Sequence, residues 1–302
     1  MADWRIGIDL GGTKIVGILL DPSGQEIARQ RVATPDRDDA TAFAIRDLVR
    51  LLDKDMPAAM SPASVGIGMP GAVSSISGPR RHVDPNAPKG QPFQVMVAEA
   101  LGRKVEIAND ANCFALSEAV DGSAAGASIV FGAILGTGVG GGIVVNGRIL
   151  NGPHGIAGEW GHNPLPWPRD DERLGRRCYC GQDGCIETYL SGPGMAADHE
   201  HRAGRPLPAI EIFKAAESGD QAASETVERY LDRAARAFAS IINFVDPDVI
   251  VLGGGMSNEA LLYREIPKRW GKWAFTDHVV TRLVPPRHGD ASGVRGAAWL
   301  NP

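Results

Sequence analysis

The sequence predicts an α/β protein of two lobes, and three observations carry that expectation. The chain has 302 residues, enough for two domains at roughly 150 residues each. Short β-branched runs alternate with stretches of helical periodicity, the pattern of sheets covered by helices. The opening design of "WRIGIDLGGTKIVGILL", a strand, a glycine turn and a second strand, returns in "IVFGAILGTGVGGGIVVNGRILNG". Each lobe is therefore expected to present one glycine hairpin.

Residues 4–20 read as a hairpin because aliphatic and β-branched residues flank the only breakers. "DPSGQEIARQRVAT" supplies a turn and a third strand, and "DDATAFAIRDLVRLLDKDM" places apolar residues at helical spacing behind acidic starters. "ASVGIGMPGAV" is a buried strand running into a loop. Residues 83–92, "VDPNAPKGQP", hold too much proline and glycine for regular structure and are expected to form a loop. "PFQVMVAEALG" is a short helix, "KVEIAND" a strand, and "ANCFALSEAVDG" a helix whose start carries Asn109 and Asp110. "GSAAGAS" suits a domain boundary. Residues 151–192 show no clear periodicity, whereas "QAASETVERYLDRAARAFASIINFV" has apolar positions three and four apart. "DPDVIVLGGG" is a buried strand entering a third glycine turn, and "ASGVRGAAWL" is a small-residue helix.

A formal net charge of -5 and a pI near 5.8 give no general attraction to nucleic acid or to an anionic membrane. Small molecules are the expected partners. No secretion signal and no run of 18 apolar residues is present, so a cytoplasmic location is expected. Cys178, Cys180 and Cys185 crowd together while Cys113 stands alone, which is unlike a secreted disulfide framework and more like a metal site. Cys113 reads as a packed core thiol.

"GTGVGG", residues 136–141, has the spacing of a dinucleotide fingerprint. That fingerprint needs a helix directly after the glycines, and Ile143, Val144 and Val145 favour a strand. Glu159 stands near the distance of a ribose-binding acid, but "GPHGIAGE" before it is no second parallel strand. A P-loop is absent. The remaining reading is a hairpin whose backbone N–H groups face phosphate oxygens, through Gly11, Gly12 and Thr13 on one lobe and Gly136, Thr137 and Gly138 on the other. Taken alone, either is better read as a plain hairpin turn. Asp9, just before the first turn, can hold hydrated Mg2+ against phosphates. Lys14 adds a point charge or is a solvated strand residue. Asp110, at a strand-to-helix junction, suits a general base or a helix cap, and the residues alone leave these even.

In order along nearly the whole chain, "IGIDLGGTK", "NDAN", "GTGVGGG", "GEWGH", "CYCGQDGCIE" and "VIVLGGGMSN" resemble the ROK family of sugar kinases. The resemblance implies an actin-like, ribonuclease-H-like fold of two lobes: residues 1–122, residues 123–289, and a terminal helix at about 290–302 packing back on the first lobe. It implies ATP and Mg2+, a hexose substrate, an active site in the interdomain cleft, a homodimer, and Gly253, Gly254 and Gly255 as an adenosine-side turn. It makes Asp110 the catalytic base, and gives sugar binding to Asn109, Glu159, His162 and Glu187, with Asn86 and Gly71 beside them. Some members are repressors with an added DNA-binding domain, for which no element is expected here.

His162, Cys178, Cys180 and Cys185 offer one imidazole and three thiolates, the set of a closed structural zinc site. Four protein ligands leave no position for substrate. Such a metal would pin Glu159 and Glu187, which stand close to its ligands in sequence, and would leave His162 one ring nitrogen for sugar. Within the family, "GEWGHNPLPW" and "AVDGSAAGA" look most like bacterial fructokinases that also take mannose or glucose, with N-acetylglucosamine kinases as the near alternative. A non-catalytic sugar sensor, a nicotinamide oxidoreductase and an assembly ATPase are the readings from other classes.

Overall fold

The computed structural model describes residues 4–57, 60–71, 90–173 and 175–301. The chain divides into two compact units, one of Met1–Ala125, Gly147–Ala157 and Arg287–Pro302, the other of Gly126–Asn146 and Gly158–Pro286.

In the first unit β1 (Arg5–Leu10), β2 (Lys14–Leu20), β3 (Glu26–Ala33), β4 (Ser64–Met69) and β5 (Val105–Asn109) form a sheet of order β3-β2-β1-β4-β5. The short turns between β1, β2 and β3 make those pairs antiparallel. β4 and β5 join in parallel, reached through α1 (Asp38–Asp53) and α2 (Gly90–Leu101). On α1, Ile45, Leu48, Val49 and Leu52 fall on one face and pack against Ile8, Ile15, Val65 and Ile67 in a single core. α2 starts at Gly90, inside the stretch read as loop. Its Pro92 falls in the first helical turn, where a missing N–H breaks no bond.

α3 (Asp110–Val120) follows β5 directly, and the closing helix Ser292–Ala298 packs on α3, β1 and β4. Glycines make room for it. Gly7 and Gly66 face each other across the β1/β4 pair, and a Cβ on either would strike the closing helix's backbone, at Val294 or Ala297. On the helix itself, Gly296 lies against the backbone of Cys113 in α3.

The second unit repeats this plan. β6 (Ile129–Leu135) and β7 (Val139–Val145) form an antiparallel hairpin. The chain then passes through β8 (Arg148–Ile149) in the first unit and returns at Gly158. β9 (Val249–Gly253) joins β6 in parallel and β10 (Arg282–Val284) joins β9 in parallel. The order β7-β6-β9-β10 matches β2-β1-β4-β5, so the degenerate glycine repeat in the sequence corresponds to a repeated topology. Helices between its strands include α4 (Glu187–Leu190), α5 (Gly192–Ala203), α6 (Ala209–Glu217) and the 25-residue α7 (Gln221–Val245). Tyr230, Leu231, Ala234 and Phe238 of α7 share a core with Phe131, Trp160, Ile250 and Leu252. Among the described residues no helix is long and apolar enough to cross a membrane.

Candidate active site

In the first unit, register brings three strands to one edge. Asp9 pairs with Gly68, Gly68 with Ala108 and Met69 with Asn109, so β1, β4 and β5 end together. The C-terminal edge of parallel strands is where α/β sheets present ligand groups. Here it carries Asp9, the turn Gly11–Lys14, Gly71, Asn109 and Asp110. Burial raises the Asp9 carboxyl above its ordinary value, opposed by the Lys14 ammonium. In the turn, the Gly11 N–H donates to the Lys14 carbonyl at 3.0 Å and Thr34 Oγ1 donates to the Gly11 carbonyl at 2.7 Å. Gly11 thus spends its N–H on closing the hairpin, and Gly12, Thr13 and Lys14 are the exposed positions.

The N-cap of α3 is Asn109, the neighbour of Asp110. Its Oδ1 accepts from Ala111 N at 2.8 Å and Asn112 N at 3.4 Å, while its Nδ2 donates to the Gly71 carbonyl at 3.2 Å. Both ends of the Asn109 amide are therefore engaged within the protein. Asp110 is the first helical residue, with Oδ1 accepting from its neighbour Ala111 N at 2.9 Å. Gly71 has φ +88°, the left-handed region that suits glycine. Burial, with the charges of Asp110 and Asp9 beside it, pushes the Cys113 thiol well above its ordinary value, which makes it an inert core thiol under two carboxylates. Asn86 lies outside the described residues.

In the second unit Ile134 pairs with Gly253, so the turn Gly136–Gly138 and the turn Gly253–Gly255 stand at the same edge of the sheet. Gly254 has φ +79°, and a Cβ there would meet the Leu135 backbone. The Gly136 N–H closes its turn on the Gly138 carbonyl at 3.0 Å, as Gly11 does in the first unit, leaving Thr137 and Gly138 beyond it. Leu135 pairs with Val139 and Leu10 with Ile15, so the second turn is one residue shorter than the first.

Glu187, the first residue of α4, lies over this turn. Its Oε2 accepts from Val139 N at 2.9 Å, and a Cβ on Gly138 would come within 2.8 Å of that oxygen. Glu159 precedes the 3-10 turn Trp160–His162 and His162 ends it, and Trp160 fixes the turn to β7. That indole is buried against Phe131 and Phe238 and donates from Nε1 to the Gly140 carbonyl at 2.8 Å. Burial raises the Glu159 carboxyl, His162 opposes this, and Glu187 adds to it. Glu159, Glu187 and His162 therefore form one electrostatic group.

The ligand atoms of His162, Cys178, Cys180 and Cys185 all lie within 4.8 Å of one another. Tetrahedral Zn2+ at ordinary bond lengths requires edges of ~3.6 Å between nitrogen and sulfur and ~3.8 Å between sulfurs. His162 Nδ1 lies 3.6 Å from Cys178 Sγ, and Cys180 Sγ lies 3.6 Å from Cys185 Sγ. The donor set and its spacing fit zinc. The loop closes through Cys178 N donating to the Gln182 carbonyl at 2.9 Å, and Gly181 and Gly184 turn it with φ +91° and +73°. A buried ion-pair network backs it: Arg176 donates to Asp198 at 2.6 Å and to the Thr188 carbonyl at 3.0 Å, and Arg233 joins Asp198 to Glu172. Removing one member would leave its partner charge buried and uncompensated.

The first unit carries Asp9, Gly71, Asn109 and Asp110 at one sheet edge, and the second carries the turns Gly136–Gly138 and Gly253–Gly255 at one sheet edge. One neighbour escaped the sequence reading: Tyr179, inside the cysteine loop, whose hydroxyl lies 3.0 Å from His162 Nε2. Burial and the carboxylates of Glu187 and Glu159 push that phenol up to about 12, so it is a neutral hydroxyl at physiological pH. The signal was an aromatic residue between two zinc-type cysteines, which periodicity does not register.

Two sheets of matching order, each opened by a glycine-turned hairpin and each carrying polar groups at the C-terminal edge of its parallel strands, define an actin-like α/β protein. The chain belongs to the ROK family, whose model matches residues 5–302. It is 42% identical over 302 residues to an N-acetyl-D-glucosamine kinase of Vibrio cholerae serotype O1, with 98% of each chain covered. An N-acetyl-D-glucosamine kinase of Escherichia coli O157:H7 is 42% identical over 301 residues, again with 98% of each covered. A ROK hexokinase from Thermus thermophilus superposes with a TM-score of 0.85 at 30% identity, covering 98% of this chain and 97% of that one. A ROK glucokinase from Streptomyces griseus, solved with glucose and AMPPNP, gives 0.73 at 28% identity over 98% of each. The two kinases matched by sequence carry the name that the motifs placed second, and not that of a fructokinase.

Proposed function

We propose that the sugar phosphorylated by this chain is N-acetyl-D-glucosamine, with ATP as the phosphoryl donor. The enzyme is an ATP:sugar phosphotransferase of the ROK family, and the observation that carries the sugar assignment is full-length similarity at 42% identity to kinases of that name. The fructokinase expectation rested on two short segments, which weigh less than the whole chain.

The residues have the chemistry this reaction needs. Asp110, held at the start of α3 by the Asn109 cap, takes the proton from the sugar's primary hydroxyl as that oxygen attacks the γ-phosphorus. The bond to the β-phosphate oxygen breaks, ADP leaves, and the proton remains on the carboxyl. Glu159 and Glu187 accept hydrogen bonds from sugar hydroxyls, and His162, whose charge acts on the Glu159 carboxyl, offers the sugar its second ring nitrogen. The glycine turns give phosphates a close approach to backbone, with Thr137 and Gly138 in one unit and Gly12 and Thr13 in the other. Gly253–Gly255 borders the nucleotide.

Asp9 is a partly buried carboxylate with a raised affinity for its proton, and a hydrated Mg2+ suits such an oxygen donor. When bound, that ion neutralises charge on the phosphates. Zinc on His162, Cys178, Cys180 and Cys185 is structural, since four protein donors fill its tetrahedron.

The test is ADP release with N-acetylglucosamine, N-acetylmannosamine, glucose, mannose and fructose, each over a range of concentrations. The largest kcat/KM is expected for N-acetylglucosamine. A larger value for fructose would restore the fructokinase reading, and no sugar-dependent release would defeat both.

A further inference from the structure

A cavity of about 540 Å3 lies in the second unit, and none of its lining residues belongs to the candidate active site. Three segments build it. The stretch between His162 and Cys178 supplies Arg169 and Glu172, α7 supplies Arg229 and Asp232, three residues apart on one helix face, and the chain around the end of the short helix Pro267–Trp270 supplies Arg269 and Lys272. The wall is fixed in place. Arg236, fully buried, donates to the carbonyls of Pro166 and Trp167 at 3.0 and 2.8 Å. Trp167 has φ +47°, a left-handed backbone that a non-glycine residue keeps only where its surroundings impose it, and its ring stacks on Trp273 with centroids 5.3 Å apart.

The charges of this wall do not balance. Asp198 accepts from Arg176, Arg229 and Arg233, Glu172 from Arg233 and Arg236, and Asp232 from Arg236 and Arg169. Three carboxylates thus serve five guanidiniums, which stay charged at any physiological pH. Glu228 and Glu265 match Arg269 and Lys268, and Asp171 matches Arg202. Lys272 has no carboxylate partner among the described residues, and its ammonium lies 5.0 Å over the Trp273 ring. Two surplus guanidiniums and an ammonium therefore gather at one cavity of a chain whose net charge is -5. Arg229 is recessed, its side chain 22% exposed, whereas that of Arg169 is 63% exposed.

Surplus cations withdrawn from water carry a cost that a bound anion removes. Guanidinium forks fit phosphate oxygens, and a phosphate monoester brings roughly -1.5 to -2 charge and three acceptor oxygens at neutral pH. The cavity falls within the roughly 300–1,000 Å3 of small-molecule sites, which leaves room for an organic group beside the phosphate. We propose that this cavity is a second ligand site that takes a small phosphate monoester, its phosphate held by Arg229 and Arg169 with Lys272 at the rim. The proposal goes beyond the kinase reading and does not depend on which sugar is phosphorylated.

The experiment is calorimetry on the full-length enzyme, with the nucleotide site filled by AMPPNP and with glucose 6-phosphate or inorganic phosphate as the probe. Arg169→Gln/Lys272→Gln removes two cations from exposed side chains, and Arg50→Gln/Lys54→Gln removes as much charge from exposed positions of the first unit. Wild type and the first-unit variant are expected to bind glucose 6-phosphate alike, less tightly as salt is raised. Arg169→Gln/Lys272→Gln should bind it at least about tenfold more weakly. Lys272→Gln alone breaks no ion pair, so it keeps its fold should the double variant melt early, and a loss on the order of threefold is expected from it. Unchanged affinity in both Lys272 variants would place the ester elsewhere and overturn the proposal, as would no binding by wild type. An equal loss in the first-unit variant would reduce the effect to general charge attraction and overturn it as well. Inorganic phosphate bound as tightly as the ester would overturn the choice of a monoester.

Discussion

Asn109 joins the end of β5 to the turn after β4, donating from Nδ2 to the Gly71 carbonyl at 3.2 Å while its Oδ1 caps α3. One amide therefore fixes the strand-to-helix junction on which Asp110 stands. Asn109→Ala removes the cap, at a cost of about 1 kcal/mol, and frees the junction. A lower melting temperature is expected together with a fall in kcat. Asn109→Asp keeps a capping oxygen and should recover most of the stability but less of the rate, since it has no amide donor for Gly71. Thermal melts and initial rates on the same samples check this. Equal recovery of both would show that the Gly71 contact has no part in placing Asp110.

Asp110→Asn preserves shape and removes the base. A loss of kcat of at least ~100-fold is expected, within the range for general-base catalysis, with the sugar Kd changed by less than about threefold. Calorimetry and ADP release separate the two effects. A near-normal rate would place the base elsewhere.

The cysteine cluster should lose zinc on acidification. Burial pushes the Cys185 thiol up to about 12 and raises Cys178, while for Cys180 burial is outweighed by the Gln182 N–H and the neighbouring thiols. Zinc binds thiolates, so binding releases protons and weakens as pH falls. Elemental analysis after dialysis against a mild chelator should find zinc kept at pH 8 and lost near pH 5, with the melting temperature falling alongside it. Cys178→Ser should lose zinc already at pH 8. Retention at both pH values would contradict the thiolate site.

Much of this was legible in the sequence, for reasons that differ by region. The hairpin of residues 4–20 and the helix of residues 221–245 announce themselves because breakers bound one and an uninterrupted apolar stripe marks the other. The helix Gly192–Ala203 does not: "GPGMAADHEHRA" has poor propensity and a polar face, and the structure supports it with the Ser191 cap, Pro193 in the first turn and the left-handed Gly204. The site motifs could be read singly. That Asn109 and not Asp110 is the cap, and that Gly11 and Gly136 use their N–H groups within the turns, depends on hydrogen bonds between backbone and side chain that residue type alone does not specify.

The facing pair Gly7 and Gly66 carries the last prediction. A Cβ on Gly66 would strike the Ala297 carbonyl, which is backbone and cannot rotate away as a side chain would. Gly66→Ala must therefore move either β4 or the closing helix. That helix also packs on α3, where Gly296 lies against the backbone of Cys113, so the displacement reaches the helix that begins at Asp110. Overpacking without a flexible neighbour costs about 1–3 kcal/mol or more, and a fall in kcat is expected from variant protein that remains folded. Gly12→Ala is the control for stability, because nothing lies within 4 Å of a Cβ there, and its effect should stay within about 0.5 kcal/mol. Urea denaturation of the two variants checks the contrast. Equal stability would mean that the sheet and the closing helix separate easily, and that the glycines of β1 and β4 are not what seats it.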